Sequence, residues 1–224
     1  IGIGRMARRL DKIFTGLILR VGALAIAMAG FLGIAAFKRL AEDIDRLAKS
    51  AKRLGVTTEE LSAWSHAAEL SGVSAEKLSK GITTLQKRSS EAADGNKLYA
   101  LSLARLGLDY GALASGAITT GEALNQVADG LAATTSQTER TRLAFDAMGR
   151  SGTELLTMLQ GGSEALAEMT DEAFRLGLVV SENTAKKFER FQDATLRMSK
   201  AIRGVILGIA DKILPLINDG LERL

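Results

Sequence analysis

Apolar residues recur along this chain three and four positions apart, the period of a helix face, and the two-residue alternation of a strand is scarcely visible. Leu10, Phe14, Leu17, Val21, Leu24, Met28, Phe31 and Ala35 alternate by four and three. Near the other end Phe188, Phe191, Thr195, Met198, Ile202, Val205 and Ile209 do the same. Each set is a heptad seam, the stripe with which a helix faces a partner helix. Between the seams, helical spacing is expected over residues 67–70, 78–85, 98–106 and 122–131. The polar run 89–96 reads as a break, and Gly107, Gly111 and Gly116 predict irregular turns.

The joints between these stretches follow a phrase: a leucine or serine, a glycine, an apolar residue, then a hydroxyl residue. It reads Leu54-Gly55-Val56-Thr57, Ser71-Gly72-Val73-Ser74 and, more loosely, Leu176-Gly177-Leu178 before Ser181. Glycine takes the left-handed conformation that ends a helix, and a Ser or Thr oxygen accepts a free N–H at the start of the next. Thr57 with Glu60, Thr119 with Glu122 and Ser151 with Glu154 have the spacing of a capping box. Two helices are expected to meet between Gly149 and Gly152, with Ser151 capping the second.

Composition agrees. Hydrophobic residues at 46% and charged ones at 25% suit a packed core, while a single proline leaves long stretches free to be helical. The fold class expected is all-α: elongated helices and helical hairpins joined by the breaks at Gly55, Gly72, Gly149, Gly152 and Gly177, with coiled-coil-like oligomerising seams. The organisation expected is a helical region over 1–54, an array of short helices over 55–180, and an amphipathic helix over 181–224 interrupted at Pro215. The absence of cysteine excludes disulfides and thiolate metal sites. A net charge of +3, with its lysines and arginines scattered, argues against sequence-specific nucleic-acid reading.

Residues 21–37 contain no charged or strongly polar side chain. This run is just short of the about 20 residues a membrane-spanning helix needs, and Arg20 makes its extension costly. Basic residues on both flanks give no orientation, and no small-x-small cleavage site marks a leader. Two readings therefore stand side by side: a latent membrane segment, and an assembly helix buried by protein. The C-terminal seam differs, because Lys186, Lys187, Arg190, Arg197, Lys200 and Arg203 occupy much of the remaining surface and make it a solvated or acid-facing one.

Candidate chemistry is sparse. The one histidine, His66, lies in a helical stretch beside Trp64 and reads as a packing residue, with Trp64 a core anchor. Glu59, Glu60 and Glu69 would be the acid pair of a glycan-cleaving site, but capping and solvation explain them more simply. No HExxH or comparable ligand spacing occurs, and Gly161-Gly162 lacks the lysine and the strand of a phosphate cradle. A non-enzymatic chain without cofactor or metal is expected.

Across residues 47–221 the chain resembles the tape measure proteins of long-tailed bacteriophages and prophages. The strongest parts are LGVTTEELSAWSHAAELSGVSAEKL (54–78), FDAMGRSGTELLTML (145–159) and RLGLVVSENTAKKFERFQDA (175–194), with IADKILPLINDGL (209–221) after them. Their order and spacing carry the likeness. The resemblance implies a helical structural protein that fills the tail tube, sets tail length through the length of its chain, and leaves ahead of the DNA during infection. It also implies copies of itself as partners, in threes or sixes, together with tail tube and tail tip proteins, a place in the lumen of the virion's tail tube, and entry of apolar segments into the host membrane. At 224 residues the chain is shorter than members of this family, so it is expected to be either a short tape or part of a longer one, such as a terminal portion meeting the tip or the neck. The alternative is a membrane-active helical protein, such as a pore-forming toxin or secretion component. On the first reading the seams Leu10–Phe31 and Phe188–Ile209 are the oligomer interfaces.

Overall fold

A computed structural model describes the backbone of residues 36–221 and the side chains as far as residue 204. The fold is all-α: among the described residues there are eleven helices and no strand. They are α1 (36–54), α2 (Thr58–Leu70), α3 (Ala75–Ala93), α4 (Lys97–Arg105), α5 (Tyr110–Ser115) and α6 (Thr120–Ala133). After these come α7 (Gln137–Met148), α8 (Arg150–Glu154), α9 (Leu156–Leu159), α10 (Gly162–Arg175) and α11 (Glu182–Leu221).

Local chemistry sets most of the starts. Thr57 and Thr119 each complete a capping box, the hydroxyl accepting the N–H of Glu60 or Glu122 while that carboxylate accepts the N–H of the threonine. Ser74, Asn96, Asp109 and Ser136 cap α3, α4, α5 and α7 in the same way from one side. Helix ends are equally regular. Gly55, Gly72, Gly95, Gly107, Gly116 and Gly177 all have positive φ, and the paired bonds of a Schellman motif close each turn, as in Val73 N–H to Ala68 O at 2.8 Å with Gly72 N–H to Glu69 O at 2.9 Å.

Five sequence expectations are corrected. Ser151 does not cap a helix: α8 begins at Arg150 behind Gly149, which has φ 67°, and Glu154 instead pairs with Lys77 of α3. Gly152 is not a break but a buried residue inside α8, where a side chain would overlap the carbonyl of Ala144. The polar run 89–96 belongs mostly to α3, which continues to Ala93 because Ser89 and Ala92 face the core. Residues 110–115 form the helix α5 rather than irregular turns, since Asp109 caps them. Pro215 does not interrupt α11, whose helix continues to Leu221. Proline's fixed φ is helical, so the long helix carries it at the cost of one N–H bond and of the ring's crowding against the carbonyl four residues back.

The chain divides between Ile44 and Asp45 and between Lys187 and Phe188, so that the described residues 36–44 and 188–221 belong to one compact unit and Asp45–Lys187 to another. In the second unit α3 packs against α2, α4, α5, α7 and α8, and α6 packs against α10, α9 and α5. Leu78, Ile82, Leu85, Leu124, Leu131, Met148 and Leu159 are fully buried in its core. Helices cross closely where glycine removes a side chain, at Gly81 against Leu155 and Met148 and at Gly130 against the backbone of Leu106. Trp64 is buried in this core and lies over Gly121, at the paired N-termini of α2 and α6.

Candidate functional site: the apolar faces and the glycine joints

The joints show which apolar residues the fold uses and which it leaves outside. In Leu54-Gly55-Val56 and Ser71-Gly72-Val73 the apolar flanks Leu54 and Val73 are buried and Val56 is half-buried. A copy that sequence reasoning missed, Leu106-Gly107-Leu108-Asp109, buries both leucines, at 1% and 3% exposure. The last copy is the exception. Leu176 and Leu178 are 60% and 51% exposed, and Phe174, one turn earlier, is 56% exposed. The Schellman bonds are nevertheless intact there, with Leu178 N–H to Ala173 O at 3.0 Å and Gly177 N–H to Phe174 O at 3.1 Å. The backbone turn is thus the same in all four, and only the covering of its side chains differs.

The segment after Gly177 is strapped to α2. Ser62 Oγ accepts the N–H of Val180 at 3.0 Å, and the Glu59 carboxylate accepts the N–H of Glu182 at 2.7 Å. Ser181 Oγ accepts the N–H of Thr184 at 3.1 Å, which caps α11. Lys186 hydrogen-bonds the Glu182 side chain and holds its carboxyl below the usual carboxylate range. Bound in this way, the first turn of α11 has both the strap from α2 and its own cap.

The two seams fare differently. In the unit formed by the chain ends, Phe37 of α1 packs on Phe188 and Phe191, with ring centroids 5.7 and 5.3 Å away, the second pair edge to face. The first turns of this seam therefore have a partner in the same chain. Met198 is half-buried, Thr195 is exposed and Ile202 is 53% exposed, with Ala201 half-buried in its place. The side chains of Val205 and Ile209 lie outside the described residues, as do Leu10, Phe14, Leu17, Val21, Leu24, Met28 and Phe31 with nearly all of the apolar run 21–37. Among the described residues no helix is long and apolar enough to cross a membrane.

Two of the three acidic candidates have structural partners, and the third, Glu69, is exposed on α2. Glu60 belongs to its capping box, and Glu59 accepts from the α11 backbone. His66 is half-buried in α2 with its Nε2 unpaired. Among the described residues no group of three or more His, Asp or Glu could hold a metal. The densest charged cluster joins α4 to α7: Arg142 bonds Glu139 and Asp146, Arg105 bonds Glu139, and buried Ser102 donates to Asp146 at 2.8 Å. The hydrogen bond from Arg142 lowers the Glu139 carboxyl from its ordinary value. Each of these groups is occupied by a neighbour, which makes the cluster a clamp between two helices. Sequence reasoning missed Phe37 as the seam's partner and Phe174 with Leu176 as exposed; only their burial distinguishes them from core positions.

No protein-family model, curated protein or solved structure matches this chain.

Proposed function

We propose that this chain is a segment of a phage tail tape measure protein, a structural component of the tail tube lumen that associates with copies of itself and with tube and tip proteins, sets tail length and leaves ahead of the DNA. The supporting observation is that the three stretches carrying the sequence resemblance, far apart in the chain, contribute to one folded unit, the last of them as far as Lys187. Residues 54–78 and 145–159 join through Lys77 and Glu154, and residues 54–78 and 175–194 join through Glu59 and Glu182. The close helix crossings at Gly81, Gly130 and Gly152 further suit a folded portion of the tape more than a bare rod.

The test is deletion of residues 55–176 from the parent gene, with tail length read by electron microscopy. The reading predicts shorter tails. A helical rod of this many residues at about 1.5 Å each spans on the order of 180 Å, so a loss near that value means the segment is extended in the tail, and a smaller loss that it remains a bundle. Tails of unchanged length would overturn the ruler. Insertion of the purified chain into liposomes together with its absence from tails would favour a membrane-active protein instead.

A further inference from the structure

We propose that the exposed C-terminal end of α10, with Phe174, Leu176 and Leu178, is the docking surface for the basic face of α11 from a second copy of this chain. Leucine on both sides of a helix-ending glycine is buried where the same turn occurs at Gly107, so the exposure at Gly177 is not a property of the turn. Three large apolar side chains within five residues are left in water here. Phe174 lines a shallow depression edged by Glu168, Asp171 and Glu172, with Arg175 the one base there. Over α10 there are four acids against one base.

The complementary surface is α11. Residues 186–203 contain six bases against two acids, and within them Leu196 and Ile202 are exposed at 54% and 53%. Leu196, Lys200 and Arg203 stand four and three apart on one exposed stripe, so that an apolar side chain is followed by two cations along the helix. Laid on α10, that stripe sets Leu196 against the Phe174 patch and the cations against Glu168 and Asp171. Opposite charges at such a rim fix register and suppress wrong partners more than they add affinity, while the apolar centre supplies the affinity. The two surfaces are different parts of the chain. One such contact leaves a single free surface on each copy; pairing those two reciprocally gives a closed two-fold dimer, and pairing them with further copies gives a ring or a filament. None of this depends on the tail reading, because it is measured on the purified chain alone.

Light scattering of the full 224-residue chain, with two charge-reversal variants, tests the proposal. The unaltered chain is expected to exceed the monomer mass. Glu168→Lys with Asp171→Lys, and separately Lys200→Glu with Arg203→Glu, should each weaken self-association about tenfold or more, because like charges then face each other. Mixing the two variants should restore association, since the unaltered α11 of one meets the unaltered α10 of the other and the two reversed surfaces are again opposite in charge. Circular dichroism of each variant, unchanged from that of the parent, separates lost docking from lost folding, and Leu176→Ser with Leu178→Ser removes the apolar centre without touching the charges. A monomeric parent chain, variants that associate as the parent does, or a mixture that stays monomeric would each overturn the proposal.

Discussion

The α-carbon of Gly130 faces the carbonyl of Leu106 with no room for a methyl group between them. Alanine at a helical glycine ordinarily stabilises by about 1 kcal/mol, through propensity alone. At Gly130 the sign reverses, because the added Cβ would have to push α6 off the turn after α4. Gly130→Ala should cost about 1 to 3 kcal/mol as overpacking, read as a lower urea midpoint. Gly111→Ala is the control: its Cβ would meet only Asp109 Oδ1 at 3.7 Å, an ordinary contact, and the midpoint should stay or rise.

The capping boxes give the second prediction. Thr119→Ala removes the hydroxyl that accepts the N–H of Glu122 at 3.1 Å, and should cost about 1 kcal/mol. The same exchange at Thr57 should cost a similar amount, and the two losses should be tested for additivity, since the N-termini of α2 and α6 are neighbours through Trp64 and Gly121.

Acid sensitivity follows from the same box. The backbone N–H of Thr119, and then its hydroxyl, hold the Glu122 carboxyl below its ordinary value of 4.5. A folded-state pKa below the unfolded one means that the stabilisation is complete above the unfolded value and is lost as pH falls through the folded one. Urea midpoints measured from about pH 6 to about pH 3 should fall on acidification, and Glu122→Gln, which keeps an acceptor in the box, should flatten part of that fall.

The strap gives a prediction about local opening. Ser62→Ala leaves the Val180 N–H without its acceptor, so hydrogen exchange at Val180 should accelerate while amides in the middle of α3 stay protected. Equal acceleration across both would mean that the strap and the bundle open together as one cooperative unit.

The helix class, the starts capped by Thr57, Ser74 and Thr119, and the turns at Gly55, Gly72 and Gly177 were legible because they depend on neighbours three or four residues away. Thr57 needs only Glu60, and Gly72 only the turn before it. What was illegible depends on distant partners. Ser151 has the spacing of a box, yet Glu154 is taken by Lys77 from another helix. Gly152 reads as a breaker but serves a close crossing with α7. The C-terminal seam was visible as a stripe, whereas its covering by Phe37 lies about 150 residues away and has no local signature. Likewise Leu106-Gly107-Leu108 and Leu176-Gly177-Leu178 are the same three residues in the same order, and only the fold buries one and exposes the other.

Mass spectrometry of tail particles purified from cells that produce this chain tests the central claim most directly. The chain should co-purify with the tails, at a fixed ratio to the tube subunit through successive density gradients. Its absence from the tails, with recovery in the membrane fraction of the same cells, would contradict the tape measure reading.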